Sequence, residues 1–225
     1  MLPLHSQVLE PGYAQRRAAR PSRTFGGLDL LVMQPIGEFG DFVDVGGGIG
    51  GHLIQQLDRR GITALRFDLG FVVYGSETKR FNPFPRIEAK INTDNSIFFA
   101  GVGPQLMVPN GKLRPYVSGS AGLSYFATNS SLEGADAGYE DLLNTTNFDD
   151  ATFAYSGIAG LYIPFKSKRR PVSLDVSARY QNNGVASYLR EGSIIDNPND
   201  NGYSVVPIRS RTDFVVYQLG VSIGF

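Results

Sequence analysis

The 225-residue chain has no cysteine, no tryptophan and only two histidines. It also lacks any apolar run approaching the roughly 18 residues a membrane-spanning helix needs. The first absence excludes disulfides, thiolate metal sites and cysteine nucleophiles. The last excludes a transmembrane helix but not a membrane, because a tilted spanning strand needs only about 9–11 residues. An excess of one charge is missing as well, with 21 Lys and Arg against 21 Asp and Glu. No global field therefore recruits nucleic acid or a strongly anionic partner. What is plentiful is glycine (27) and aromatic side chains (15 Phe, 11 Tyr), a mixture expected where strands turn corners and rings line an interface. The class is all-β, and the length suits one barrel-sized domain.

Residues 1–23 carry Arg16, Arg17, Arg20 and Arg23 with Pro3, Pro11 and Pro21, and hold no apolar stretch like the middle of a secretory signal. They are expected to form a flexible leader ahead of a single domain spanning 24–225. The preferred explanation is an export signal upstream of Met1; a cytoplasmic chain is the alternative.

From Thr24 onward, apolar residues alternate with polar or small ones in eight successive runs, the period-2 signature of strands with two unlike faces. The runs fall at 27–34, 43–57, 62–75, 96–109, 113–128, 151–165, 171–181 and 205–225. Three links are tight: Asp58-Arg59-Arg60-Gly61, Asn110-Gly111-Lys112 and Lys166 to Arg170, each suited to an antiparallel hairpin. The others, 35–42, 76–95, 129–150 and 182–204, are longer, the last three rich in Asn, Asp, Ser and Gly, and are expected to be loops. If each link reverses the chain, tight turns gather at one end and long loops at the other. That is the asymmetry of an eight-stranded antiparallel up-and-down transmembrane β-barrel.

The direction of the apolar face decides between membrane and soluble barrels, since lipid-facing strands turn it outward. One row of each run is oily, as in Leu65, Phe67, Leu69, Phe71 and Val73, or Val215, Tyr217, Leu219, Val221, Ile223 and Phe225. The other row holds Asp29, Asp44, His52, Arg66, Asp68, Arg114, Asp175, Arg179 and Gln218, interleaved with small residues such as Gly46, Gly48, Gly50, Ser118 and Ser177. Burying those charges unpaired in a dry core costs several kcal/mol each. An enclosed polar lumen, in which charges pair and Tyr74, Tyr116 and Tyr162 fill space, suits them better. A soluble lipocalin-like barrel with the oily row inward remains the alternative.

The last strand ends Gln218-Leu219-Gly220-Val221-Ser222-Ile223-Gly224-Phe225. Gln218, Gly220, Ile223 and Phe225 resemble the carboxy-terminal insertion signal of bacterial outer-membrane proteins. Over 27–225 the chain looks like the small outer-membrane barrels of OmpA and OmpX type in strand number and loop asymmetry. It departs from many of them in lacking Trp, so an interfacial belt would draw on Phe98, Tyr125, Tyr155, Phe165 and Tyr180. The resemblance implies outer-membrane lipid as surroundings, a periplasmic C-terminus and recognition of the last strand by the barrel assembly machinery. It defines no oligomeric state.

Motifs with chemical promise are weak. Gly46 to Gly51 lacks the Lys-Ser/Thr of a phosphate loop and lies in a strand pattern, where a packing role is expected. The 196–202 loop has oxygen ligands for Ca²⁺ but no Glu at the twelfth place of an EF-hand loop. His52, the one histidine beyond the leader, falls on the lumen row and is expected to be paired rather than catalytic. No catalytic residue, metal or cofactor is therefore expected. The role expected is structural support or surface contacts through the long loops, with a narrow ion or solute channel as the alternative.

Overall fold

Alternation of the kind seen from Thr24 onward builds strands whose two faces meet different surroundings. The computed structural model describes residues 23–84, 87–134, 144–167, 169–189, 194–197, 202–205 and 207–225, with the side chains of 77–93, 130–148 and 194–205 excepted. The leader, apart from Arg23, lies outside the described residues. The strands are β1 (Thr24–Pro35), β2 (Gly46–Gln56), β3 (Thr63–Phe84), β4 (Ile87–Met107), β5 (Arg114–Gly134), β6 (Asn144–Phe165) and β7 (Val172–Asn183), then the short β8 (Val185–Tyr188), β9 (Ile194–Asn197), β10 (Gly202–Val205) and β11 (Ile208–Arg211), and last β12 (Phe214–Gly224).

Eight of them close a barrel in the order β1-β12-β7-β6-β5-β4-β3-β2, every neighbour antiparallel. First and last strands pair from Phe25↔Gly224 to Pro35↔Phe214, so no edge is left along the barrel wall. The expected all-β eight-stranded barrel is the observed one.

The tight turns lie where the sequence puts them. In the first, Gly61 has φ +74° and Asp58 organises the bend, its Oδ1 accepting from the Thr63 amide at 2.8 Å and its Oδ2 from the Arg60 amide at 3.0 Å. The Thr63 amide, foremost, holds this carboxyl below the ordinary aspartate range. In the second, Gly111 has φ +116°.

The opposite end departs from expectation. The stretches 76–95 and 129–150 are not simple loops: β3 and β4 stay paired out to Phe84↔Ile87, β4 with β5 to Ala89↔Gly134, and β5 with β6 to Ser131↔Asn144. Their polar composition hides this, because the pairing rests on backbone groups that neighbouring strands satisfy whatever the side chains are. The 182–204 stretch likewise contains β8, β9 and β10, and β8 pairs with β11. The run expected over 205–225 breaks before Phe214, where Asp213 Oδ1 accepts the Asn183 amide at 2.9 Å.

The link from Ile36 to Val45 folds inward around a short 3-10 helix (Gly37–Phe39), and Phe39 is fully buried. Its ring meets those of Tyr188, Tyr74 and Phe126 edge-on, with centroids 5.0, 5.7 and 6.0 Å away.

Candidate functional site

The outward row of every barrel strand is apolar and exposed: Leu28 (79%), Leu30, Ile49, Leu69, Val117, Leu123, Phe153, Val176 and Leu219 among others. The inward row holds the charges. Arg66 and Arg179 are 0% and 1% exposed, and Asp68, Asp175, Asp29 and His52 are all buried.

These six groups form one network. Arg66 Nε donates to Asp68 Oδ1 at 2.7 Å, and Arg179 Nη2 lies 3.0 Å from the same oxygen. Arg66 Nη1 donates to the Tyr162 hydroxyl at 2.7 Å and to Gln105 Oε1 at 3.3 Å, and lies 3.6 Å from Asp175 Oδ2. The Tyr116 hydroxyl donates to Asp175 Oδ1 at 2.8 Å while its ring stacks on Tyr162, centroids 4.5 Å apart. His52 Nδ1 is 2.9 Å from Asp29 Oδ2 and 4.0 Å from Asp175 Oδ2. The guanidinium of Arg66 lies 5.3 Å from the Tyr116 ring centre, that of Arg179 5.3 Å from Phe99. Gln218 accepts from Ser177 Oγ at 3.0 Å.

The packing depends on bare backbone beneath the charged groups. A Cβ at Gly220 would run into Asp29 Oδ1, and one at Gly27 into the His52 ring. Gly220, singled out in the sequence for the insertion signal, thus also forms the bed of a lumen carboxylate.

Two of the expected lumen residues stand elsewhere. Asp44 is exposed in the link before β2: the strand begins at Gly46, and a period of two places no side chain once the chain leaves the sheet. Arg114 is half-buried at the turn-end mouth, opposite Tyr162 in register, rather than inside the network.

The charged tier lies between two apolar ones, an arrangement that alternation alone does not reveal. Toward the loop end, Leu31, Met33, Val72, Ile97, Phe99, Phe126, Phe214 and Val216 cluster beneath Phe39. Toward the turn end, Ile54, Ala64 and Ile158 pack with the rings of Tyr116 and Tyr162. The signal was available in adjacent apolar pairs, Phe98-Phe99, Tyr125-Phe126 and Val215-Val216, which supply both faces at one height. Near the turn end a cavity of about 30 Å³, lined in part by Gln105, Arg114, Tyr162 and Ser222, is room for a water or two.

Asp29, His52 and Asp175 offer possible ligand atoms within 4.8 Å of one another, a spacing a metal ion could use. Arg66 already sets a cation against Asp175, and His52 Nδ1 is engaged by Asp29, so the arrangement reads as an ion-pair cluster. A Ser-His-Asp relay would need a hydroxyl at His52 Nε2, which has no hydrogen-bond partner and packs over Gly27. Of the residues expected in the insertion signal, Gln218 and Gly220 face the lumen, Ile223 faces outward, and Phe225 is exposed with its amide bonded to the Thr24 carbonyl at 2.9 Å.

No family model matches the chain, and no curated protein matches it. Among solved structures it is similar to Ail, the attachment invasion locus protein of Yersinia pestis, in complex with the heparin analogue sucrose octasulfate (10% identity, 91% of this chain and 99% of that one, TM-score 0.49). It is also similar to the outer membrane protein OprG of Pseudomonas aeruginosa (14% identity, 92% and 97%, TM-score 0.47) and to Neisserial surface protein A (13% identity, 91% and 98%, TM-score 0.42).

Proposed function

We propose that the chain is an integral outer-membrane β-barrel protein with a plugged lumen, whose role is structural or lies in surface contacts made at its loop end, without catalysis. The observation that carries this reading is the inversion of an ordinary soluble protein: Leu28 and Ile49 stand 79% and 64% exposed while Arg66 is fully buried. A continuous oily exterior on a closed barrel has lipid as its natural solvent. The three-tier lumen supports the plugged form, because the charged groups pair with one another and rings close them off on both sides.

The test is a gel of detergent-folded protein, boiled and unboiled, beside a detergent-free preparation. A folded membrane barrel gives an unboiled band of shifted mobility; a monodisperse protein in plain buffer that fails to fold in detergent would favour a soluble ligand-binding barrel instead. Planar-bilayer recordings are expected to be silent. Steady conductance steps altered by Arg179→Ala would replace the plugged reading with a narrow channel.

In the same reading, Gln218, Gly220, Ile223 and Phe225 form the segment recognised by the barrel assembly machinery. The exposed Phe225 supports this: its ring carries the Arg170 guanidinium 5.6 Å from its centre and is otherwise turned largely to the surroundings of the barrel. Phe225→Ala is then expected to slow assembly into membranes in the presence of that machinery without changing the stability of the folded barrel.

A further inference from the structure

The two ends of the barrel carry opposite charge. The three turns, 57–62, 108–113 and 166–171, bring Arg59, Arg60, Lys112, Lys166, Arg169 and Arg170 to one end. Asp58 is the one carboxylate in those turns, and its oxygens are taken by the Thr63 and Arg60 amides and the Thr63 hydroxyl. At the loop end, the 36–45 link holds Glu38, Asp41 and Asp44 with no cation.

At the cationic end lies a cleft of about 430 Å³ between the β6–β7 turn, the start of β5 and the barrel mouth. Arg114, Lys166, Arg169 and Arg170 line it, and Arg114 Nε is buried without a hydrogen-bond partner. Beside Ser167 and Ser173, one side of its wall is apolar: Pro164, Phe165 and Val172 belong to the strand ends where the oily exterior stops, and Phe165 is 52% exposed.

Resting on the membrane reading above, we propose that this cleft binds the phosphate headgroup of an anionic glycerophospholipid from the leaflet at the turn end. The guanidinium and ammonium groups meet the phosphate, with arginine suited to bidentate contact. The acyl chains follow the exposed row of β6 and β7 past Phe165 and Leu174. The apolar wall favours a lipid over a free anion, since a soluble phosphate has nothing to set against it. Several cations near an anionic surface act together within a screening length.

The experiment uses the full chain folded in neutral detergent, its fold checked by the unboiled gel band, with bound lipid counted by native mass spectrometry. Phosphatidylglycerol is compared with phosphatidylcholine, and glycerol phosphate and inorganic phosphate serve as free anions. One phosphatidylglycerol is expected to be retained in preference to phosphatidylcholine, and Arg169→Gln with Arg170→Gln to weaken it on the order of 25-fold, about fivefold for each charge. Arg59→Gln with Arg60→Gln removes the same charge outside the cleft and is expected to change little. Equal retention of both lipids, equal loss in the two double variants, or inorganic phosphate competing as well as the lipid would each overturn the proposal. A folded barrel with no lipid preference sinks the cleft alone; a chain that folds only without detergent sinks the membrane reading with it.

Discussion

The Oδ1 atom of Asp68 receives both guanidinium groups of the lumen, Arg66 at 2.7 Å and Arg179 at 3.0 Å. Removing it takes from buried Arg179 its carboxylate partner and leaves Arg66 with Asp175 at 3.6 Å, and breaking a buried pair in this way costs about 3–5 kcal/mol. Asp68→Ala is expected to lower the unfolding free energy in urea by that amount or more; a loss no larger than that of an exposed turn substitution would refute the network as a unit. Glycine supplies a second test. Gly220→Val must displace Asp29 and is expected to cost at least about 1–3 kcal/mol by overpacking. Gly157→Val, where an added Cβ meets nothing within 4 Å, should be close to neutral in the same titration. Most of these residues were readable because a strand's period of two separates its faces. Asp44 was not, since that period has meaning only while the chain stays in the sheet. Phe99 and Phe126 were hidden for a different reason: an apolar residue between apolar neighbours carries no alternation to read.

At the level of elements, the link between β1 and β2 looks like an ordinary loop in sequence and acts as a lid. Nothing local marks Phe39 for burial; its partners Tyr74, Phe126 and Tyr188 come from β3, β5 and β8, and only the closed barrel brings them together. Phe39→Ala is expected to cost about 3–5 kcal/mol, as large aromatic truncations in cores do. It should leave bilayer recordings silent, because the charged tier below is untouched. Conductance in this variant would move the barrier from the ion pairs to the lid. The prolongation of β3 to β6 beyond the oily band was invisible for a related reason. Threonine, serine and asparagine in 76–95 and 129–150 resemble loop composition, yet pairing with a strand on each side holds the backbone of β4 and β5 extended there.

For the whole molecule, the placement of charge relative to the exterior is the test of surroundings. Leu69 lies at the middle of the outward row Leu65 to Val73. In lipid vesicles Leu69→Arg is expected to cost about 2–4 kcal/mol, the penalty for a cation near the bilayer midplane. Leu69→Ala, measured in parallel, separates that penalty from lost packing. A neutral outcome for the arginine variant would mean that Leu69 meets water, and the barrel would not be a membrane one.

Closure of the wall has a kinetic corollary. β12 supplies the partner of β1 on one side and of β7 on the other, and its pairing with β1 joins residues as remote in sequence as Phe25 and Gly224. Contacts so remote in sequence are among the slowest to form, because the ordering entropy of everything between them must be overcome first. Until the eleven residues of β12 arrive, β1 and β7 each present a row of unsatisfied amides and carbonyls, so the ring cannot be sealed before that strand is in place.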